Sequence, residues 1–197
     1  MTWHKLAIVH GTLPCDGENA NGDAIVILRG KQRCMVAIVD ALGHGPTAAA
    51  VSERARDYLV AIEVDAERLD PATVMEGLHG ALKGTRGAAC LIGVVQDRRI
   101  EVCGVGNVEL RCVGSSIPVV LMPGILGVSV RQIRALGGTL KAGSRVYVFS
   151  DGISRRAPFT ELSRLSMDEA CQSLLNHHRH SHDDASAVLL QYEERGK

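Results

Sequence analysis

A chain of 197 residues is long enough to bury a core and too short for two full-sized domains, so residues 1–197 are expected to form one domain with no separate sensor. Its 46% hydrophobic and 22% charged residues exclude a disordered chain, and 3% aromatic content leaves the core to Val, Ile, Leu and Ala. Lys plus Arg equals Asp plus Glu at 22 each, which excludes the one-signed field used to bind nucleic acid or an anionic membrane.

In chain order, apolar runs rich in β-branched residues predict strands at Leu6 to Val9, Ala24 to Leu28 and Met35 to Val39. A helix is expected after Pro46, where Ala48, Val51, Ala55, Leu59 and Ile62 share one face and Pro46 suits the first turn. A second helix is predicted from Pro71 to Lys83, capped by Asp70 and stopped by Gly84. Strands follow at Ala88 to Val95, Ile100 to Val105, Val119 to Met122 and Val146 to Phe149, with turn signals at Gly104 to Asn107 and at Gly137-Gly138. A third helix from Met167 to His177, with Ser166 as its cap, precedes a last strand at Ala187 to Leu190. Two central helices, flanking strand runs and one late helix point to a layered α+β sandwich, because a βαβ parallel sheet would alternate more regularly. The charged run Glu193-Glu194-Arg195 is expected to be a solvated tail.

The six cysteines form no C-x-x-C pair and several sit in apolar runs, which fits a reduced cytoplasm. The N-terminus has no signal core, and no apolar stretch reaches the roughly 20 residues of a bilayer span. A cytoplasmic protein with no membrane and no nucleic-acid partner is the expectation.

The informative feature is where the carboxylates stand. Met35 to Val39 runs into Asp40, and Val146 to Ser150 runs into Asp151. Asp183-Asp184 opens the last strand run, and Gly22-Asp23 opens the second. Several anions beside a hydrophobic core cost desolvation and mutual repulsion, and no matching set of Lys or Arg adjoins them in sequence. A divalent cation would offset both penalties. Carboxylate and carbonyl oxygens suit Mn²⁺ or Mg²⁺, whereas zinc usually recruits Cys and His. A single aspartate of this kind is ordinarily a turn or cap residue; four such junctions, one leading into Ala41-Leu42-Gly43-His44-Gly45-Pro46, need another explanation.

Val39-Asp40-Ala41-Leu42-Gly43-His44-Gly45, Phe149-Ser150-Asp151-Gly152 and Asp183-Asp184-Ala185-Ser186-Ala187-Val188 together resemble the ordered motifs of protein phosphatase 2C-like enzymes. The resemblance is to the bacterial SpoIIE-type branch, including its small stand-alone stressosome phosphatases, and spans about residues 5 to 192. Thr85 to Ala89 and Gly104 to Val108 also resemble its segments. The resemblance implies an αββα sandwich of two mainly antiparallel sheets flanked by helices. It further implies a protein-serine/threonine phosphatase holding two Mn²⁺ or Mg²⁺ ions. Asp40 would bridge them, the backbone carbonyl of Ala41 would contact one, Asp151 and Asp183 would complete that shell, and Asp23 would serve the second through water. Motif register prefers Asp183 to Asp184, with Asp184 kept as an alternative ligand.

Two departures accompany the resemblance. Ala41 stands where the family usually has Gly, which preserves a carbonyl ligand if its φ is negative. The Glu18 region has no counterpart of the phosphate-gripping arginine of many eukaryotic relatives, so the metals would carry most of the phosphate grip. His44, in the metal turn, is a candidate general acid for the leaving group; the alternative is that it shapes the turn. Arg86 and the Arg155-Arg156 pair are candidate substrate contacts. His177-His178-Arg179-His180-Ser181-His182 is read as a polar connection in preference to a soft-metal tract.

A histidine-kinase-like ATP site would need Gly at position 42, where the chain has Leu, and no G-x-x-x-x-G-K-[ST] loop is present. If the resemblance holds, the substrates would be phosphorylated STAS-domain scaffold or antagonist proteins of a bacterial stress-signalling pathway. The alternative is a non-catalytic phosphoprotein-binding regulator with a degenerate phosphatase fold.

Overall fold

The computed structural model describes residues 6–66 and 68–193, so Met1 to Lys5 and the Glu194-Arg195 part of the charged tail lie outside the described residues. The first half contains β1 (Leu6–Leu13), β2 (Asp23–Arg29), β3 (Cys34–Ala41), α1 (Pro46–Val60), α2 (Pro71–Ala81), β4 (Ala88–Gln96), β5 (Arg99–Val105) and β6 (Glu109–Val113). Then come β7 (Leu121–Met122), β8 (Gly124–Ile125), β9 (Ser129–Val130), β10 (Leu136–Thr139), β11 (Arg145–Phe149), α3 (Phe159–Leu162), α4 (Met167–His177) and β12 (Ala185–Tyr192).

One sheet has the order β1-β12-β11-β6, and the other β10-β5-β4-β3-β2 with β7 added parallel to β5; β8 and β9 form a separate hairpin. The main ladders of both sheets are antiparallel. Side-chain alternation assembles the layers. In β3, Val36 and Ile38 face the second sheet, where they meet Val146, Val148, Val188 and Leu190, while Met35, Ala37 and Val39 face α1 and α2. In β11, Tyr147 and Phe149 turn the other way, onto Phe159 and the α4 residues Cys171 and Leu174. The result is helices, sheet, sheet, helices, the expected αββα sandwich. Strands covered on both faces explain why the runs are continuously apolar in place of alternating.

The caps work as the sequence implies: Asp70 accepts from Ala72 N, and Ser166 with Glu169 forms a reciprocal capping box at the start of α4. The sequence reading differs from the structure where elements are short or polar. β6 carries Glu109 and Arg111, and α3 is too short to show a period. Gly137-Gly138 reads as a turn but lies in edge strand β10, opposite Glu101 and Ile100. The run at Val119 pairs only from Leu121, and α2 ends at Ala81, ahead of Lys83.

Topology collects the acidic junctions at one end of the sandwich. β3 ends beside the start of its antiparallel neighbour β2, so Asp40 and Asp23 are register partners. In the other sheet β11 ends beside the start of β12, with Ser150 N donating to Ser186 O at 3.0 Å, which brings Asp151 to the start of the strand that Asp183 and Asp184 precede. No described helix is long and apolar enough to cross a membrane.

Candidate metal and active site

The two sheets meet polar group to polar group at this end. Ser150, fully buried, donates its hydroxyl to Asp23 Oδ2 at 2.6 Å and accepts at Oγ from Ser186 N at 2.9 Å. Ser186 in turn shares a hydrogen bond with Thr12, and Asn21 Nδ2 donates to Thr12 Oγ1 at 2.7 Å. Asp23 of one sheet is thus held by small hydroxyl residues of the other, and it sits buried with 7% of its surface exposed. Burial raises its carboxyl from the usual carboxylate range to about 7, against the lowering effect of the Ser150 and Ser186 hydrogen bonds.

Asp40 stands opposite Asp23, with the Asp151 carboxylate close enough to raise its carboxyl. Its Oδ2 is the one buried side-chain nitrogen or oxygen without a hydrogen-bond partner among the described residues. Burial is the largest cause that pushes its carboxyl up, to about 9, followed by the charges of Asp23 and Asp151. Asp183, half-buried, is raised for the same two reasons, burial and the charge of Asp151. No cationic side chain forms an ion pair with Asp23, Asp40, Asp151 or Asp183 among the described residues. An orphaned buried oxygen within mutually repelling carboxylates is the electrostatic signature of a place suited to a hard cation. As the side chains stand, no group of three or more His, Cys, Asp or Glu among the described residues is close enough together to hold a metal ion.

Asp184 has a different environment from Asp183. Its Oδ1 accepts from Cys15 N and its Oδ2 from Gly22 N, both at 2.8 Å, and the residue is 3% exposed. It ties the β1–β2 loop to the start of β12. Gly22 must be glycine because a Cβ there would press on Asp184 Oδ2 and the Ala48 methyl, and Gly22 O accepts from Ala41 N and Ser52 Oγ. Gly152 is required as strictly, since a Cβ would collide with the Asp184 carbonyl oxygen. Asp97 is the one non-glycine with positive φ among the described residues, so Ala41 has the negative φ that leaves its carbonyl in the same use a glycine would give it.

The remaining candidates lie on the rim. His44 is exposed, with Nδ1 3.1 Å from Glu18 Oε1 across the opening between the β1–β2 and β3–α1 loops. Arg86 Nη1 donates to Leu42 O at 2.9 Å, two residues past Asp40, and no carboxylate pairs with it among the described residues. Arg155 pairs with Glu109 at 3.0 Å, while Arg156 is exposed; both line a shallow depression with Asp151 and His180. The histidine tract is pinned across the segment after β11 by Ser154 N to His178 O and His180 N to Gly152 O, and its His180 and His182 rings lie 5.7 Å apart.

Three polar residues that sequence reasoning passes over complete the site's support. Ser150 and Ser186 sit inside strand runs where Ser reads as a small filler. Asn107, in a Gly-Asn turn signal, donates its Nδ2 to Asp151 Oδ2. A polar residue beside each acidic junction is the available signal.

Similarity to known proteins agrees with this geometry. No curated protein matches the sequence. Among solved structures, a chain from work described as "The bacterial stressosome: a modular system that has been adapted to control secondary messenger signaling" shares 27% identity at a TM-score of 0.85, covering 95% of this chain and 100% of that one. RsbX, solved in complex with magnesium, shares 22% identity at 0.82, covering 98% of each chain. The phosphatase domain of SpoIIE from Bacillus subtilis, with a regulatory fragment, shares 16% at 0.75, covering 98% of this chain and 63% of that one. The sequence profile described as Stage II sporulation protein E (SpoIIE) matches residues 30–196, and the chain belongs to that family of protein phosphatase 2C-type, metal-dependent serine/threonine phosphatases.

Proposed function

We propose that residues 1–197 act as one catalytic unit that removes phosphate from serine or threonine of STAS-domain scaffold or antagonist proteins in a stressosome-type pathway. The observation that carries the metal-dependent part is the unpartnered Asp40 Oδ2 in a carboxylate cluster at the common end of two sheets. The partner class is supported by the resemblance to a stressosome-associated chain and to RsbX, each of nearly the same length as this one.

In this reading Asp40, Asp151 and Asp183 hold two Mg²⁺ or Mn²⁺ ions with the Ala41 carbonyl, and Asp23 acts from behind. Bound there, the ions activate water for attack on phosphorus and neutralise charge on the phosphoryl oxygens. Asp184 stays outside the ligand set, because both its oxygens already accept from the main chain. Ser150 fixes Asp23, so the orientation of the inner carboxylates is set before substrate arrives. Arg86, with its charge unpaired by any described carboxylate, binds the phosphoryl group or acidic residues near it, and Arg155 and Arg156 extend that surface past Asp151. His44, with Nδ1 3.1 Å from Glu18 Oε1, delivers a proton to the departing serine oxygen.

The test is phosphate release from phosphorylated STAS-domain proteins by the purified protein, with and without Mn²⁺ or Mg²⁺, against Asp40→Ala. A loss of about 10²-fold or more is expected in the variant and in chelator, the scale on which one transition-state stabiliser acts. Equal rates for both proteins would sink the enzymatic reading. Tight binding of the phosphoprotein without release would mark the non-catalytic regulator instead.

A further inference from the structure

We propose that Asn107 is a positioning residue for Asp151, its amide fixing the rotation of the carboxylate that meets Asp40; this rests on the metal reading above. Asn107 Nδ2 donates to Asp151 Oδ2. The reverse orientation of the amide would set its oxygen against a carboxylate oxygen, two acceptors face to face, so the donating orientation is the one chemistry permits.

The approach is built into the topology. β6 and β11 are antiparallel with Glu109 opposite Phe149, and the same register continued two residues beyond the ladder sets Asn107 opposite Asp151. On its other side the turn is pinned to the sheet that carries Asp40. Gly106 has φ 87°, donates its N–H to Met122 O at 3.0 Å, and leaves no room for a Cβ against Ala89, the residue paired with Asp40 across β3 and β4. Asn107 therefore stands where the chain crosses from one sheet to the other, at the seam where Asp40 of one sheet meets Asp151 of the other. A neutral amide suits that place. It supplies a donor to Asp151 without adding a further negative charge to Asp23, Asp40, Asp151 and Asp183, and it leaves their charge free for cations.

The test is calorimetric titration of Mn²⁺, and separately of Mg²⁺, into chelator-stripped wild type, Asn107→Ala and Asn107→Leu, with thermal unfolding of each in chelator. Leu keeps the shape of Asn without its polar groups, so it covers the case in which the smaller side chain leaves the turn unfolded. The expected result is an affinity about 10–100-fold weaker in both variants, the usual cost of losing a residue that orients a metal ligand, with unfolding in chelator within a few degrees of wild type. Wild-type affinity in either folded variant would overturn the inference. Absence of binding by wild type would overturn the metal reading itself, and the inference with it.

Discussion

Asp23 and Asp40 face each other directly across the β2–β3 ladder, two carboxylates on neighbouring strands with no cation between them from the protein itself. Like charges so placed destabilise a sheet. Both carboxyls are raised by burial, to about 7 and about 9, above the ordinary 3.8. The folded state then binds more protons than the unfolded state at these two groups, so their contribution to metal-free stability is full below about pH 4 and falls as pH rises toward 9. Thermal unfolding in chelator between pH 4 and 9 is expected to show that decline, and Mn²⁺ or Mg²⁺ to reverse most of it at the alkaline end. Asp40→Asn is expected to flatten the slope and raise the metal-free Tm at pH 8 by about 5 °C, the shift that roughly 2 kcal/mol gives in a domain of this size. An Asp40→Asn profile parallel to wild type would show that Asp40 is not the group responsible.

Asp183 and Asp184 are neighbours with opposite duties, and their variants should separate cleanly. Asp184→Ala would leave Cys15 N and Gly22 N without their acceptor in a buried setting. That costs about 2–4 kcal/mol, or roughly 5–15 °C in Tm, with or without metal. Asp183→Asn should change the metal-free Tm by only about a degree or two, yet weaken Mn²⁺ binding about tenfold or more. Denaturation and metal titration of the two variants check this, and a large metal-free loss in Asp183→Asn would reverse the assignment.

Much of the sandwich was legible because its strands are covered on both faces: Met35 to Val39 and Val146 to Phe149 declare themselves by composition, and Asp70 and Ser166 declare the helix starts. Partners distant in sequence were not. Nothing local to Ser150 says that it will meet Asp23, 127 residues away, or that Asn107 will leave its turn to hold Asp151. Those contacts exist only once two separate sheets are stacked, and a turn signal such as Gly106-Asn107 describes backbone conformation without saying where the side chain goes. The same holds for Asp183 and Asp184. Their identical chemistry is told apart by Asp184 having both oxygens taken by main-chain donors of the distant β1–β2 loop, whereas Asp183 accepts at one oxygen from its own neighbour.

The basic rim offers a graded contrast. Arg86 has one nitrogen fixed by Leu42 O and no described carboxylate beside it, whereas Arg155 shares Glu109 with Arg111. Arg86→Ala is therefore expected to raise KM for a phosphoprotein about tenfold, and Arg155→Ala less than threefold, since Arg155 must leave an existing partner to contact substrate. Steady-state kinetics at low and moderate salt measure both. Equal effects would assign the substrate path to the depression beside Asp151.

His44 supplies the last contrast, between two chemistries that one site should treat differently. A serine alkoxide is a poor leaving group and needs a proton as the bond to phosphorus breaks, whereas a nitrophenolate leaves without one. With the imidazole exposed, 3.1 Å from Glu18 and four residues past Asp40 in the chain, His44→Ala is expected to slow kcat for phosphoserine protein about 10²-fold. Hydrolysis of p-nitrophenyl phosphate should fall only a few-fold. A His44→Ala variant that slows both substrates equally would make His44 a residue that shapes the turn after Asp40, and the proton would then have to come from solvent.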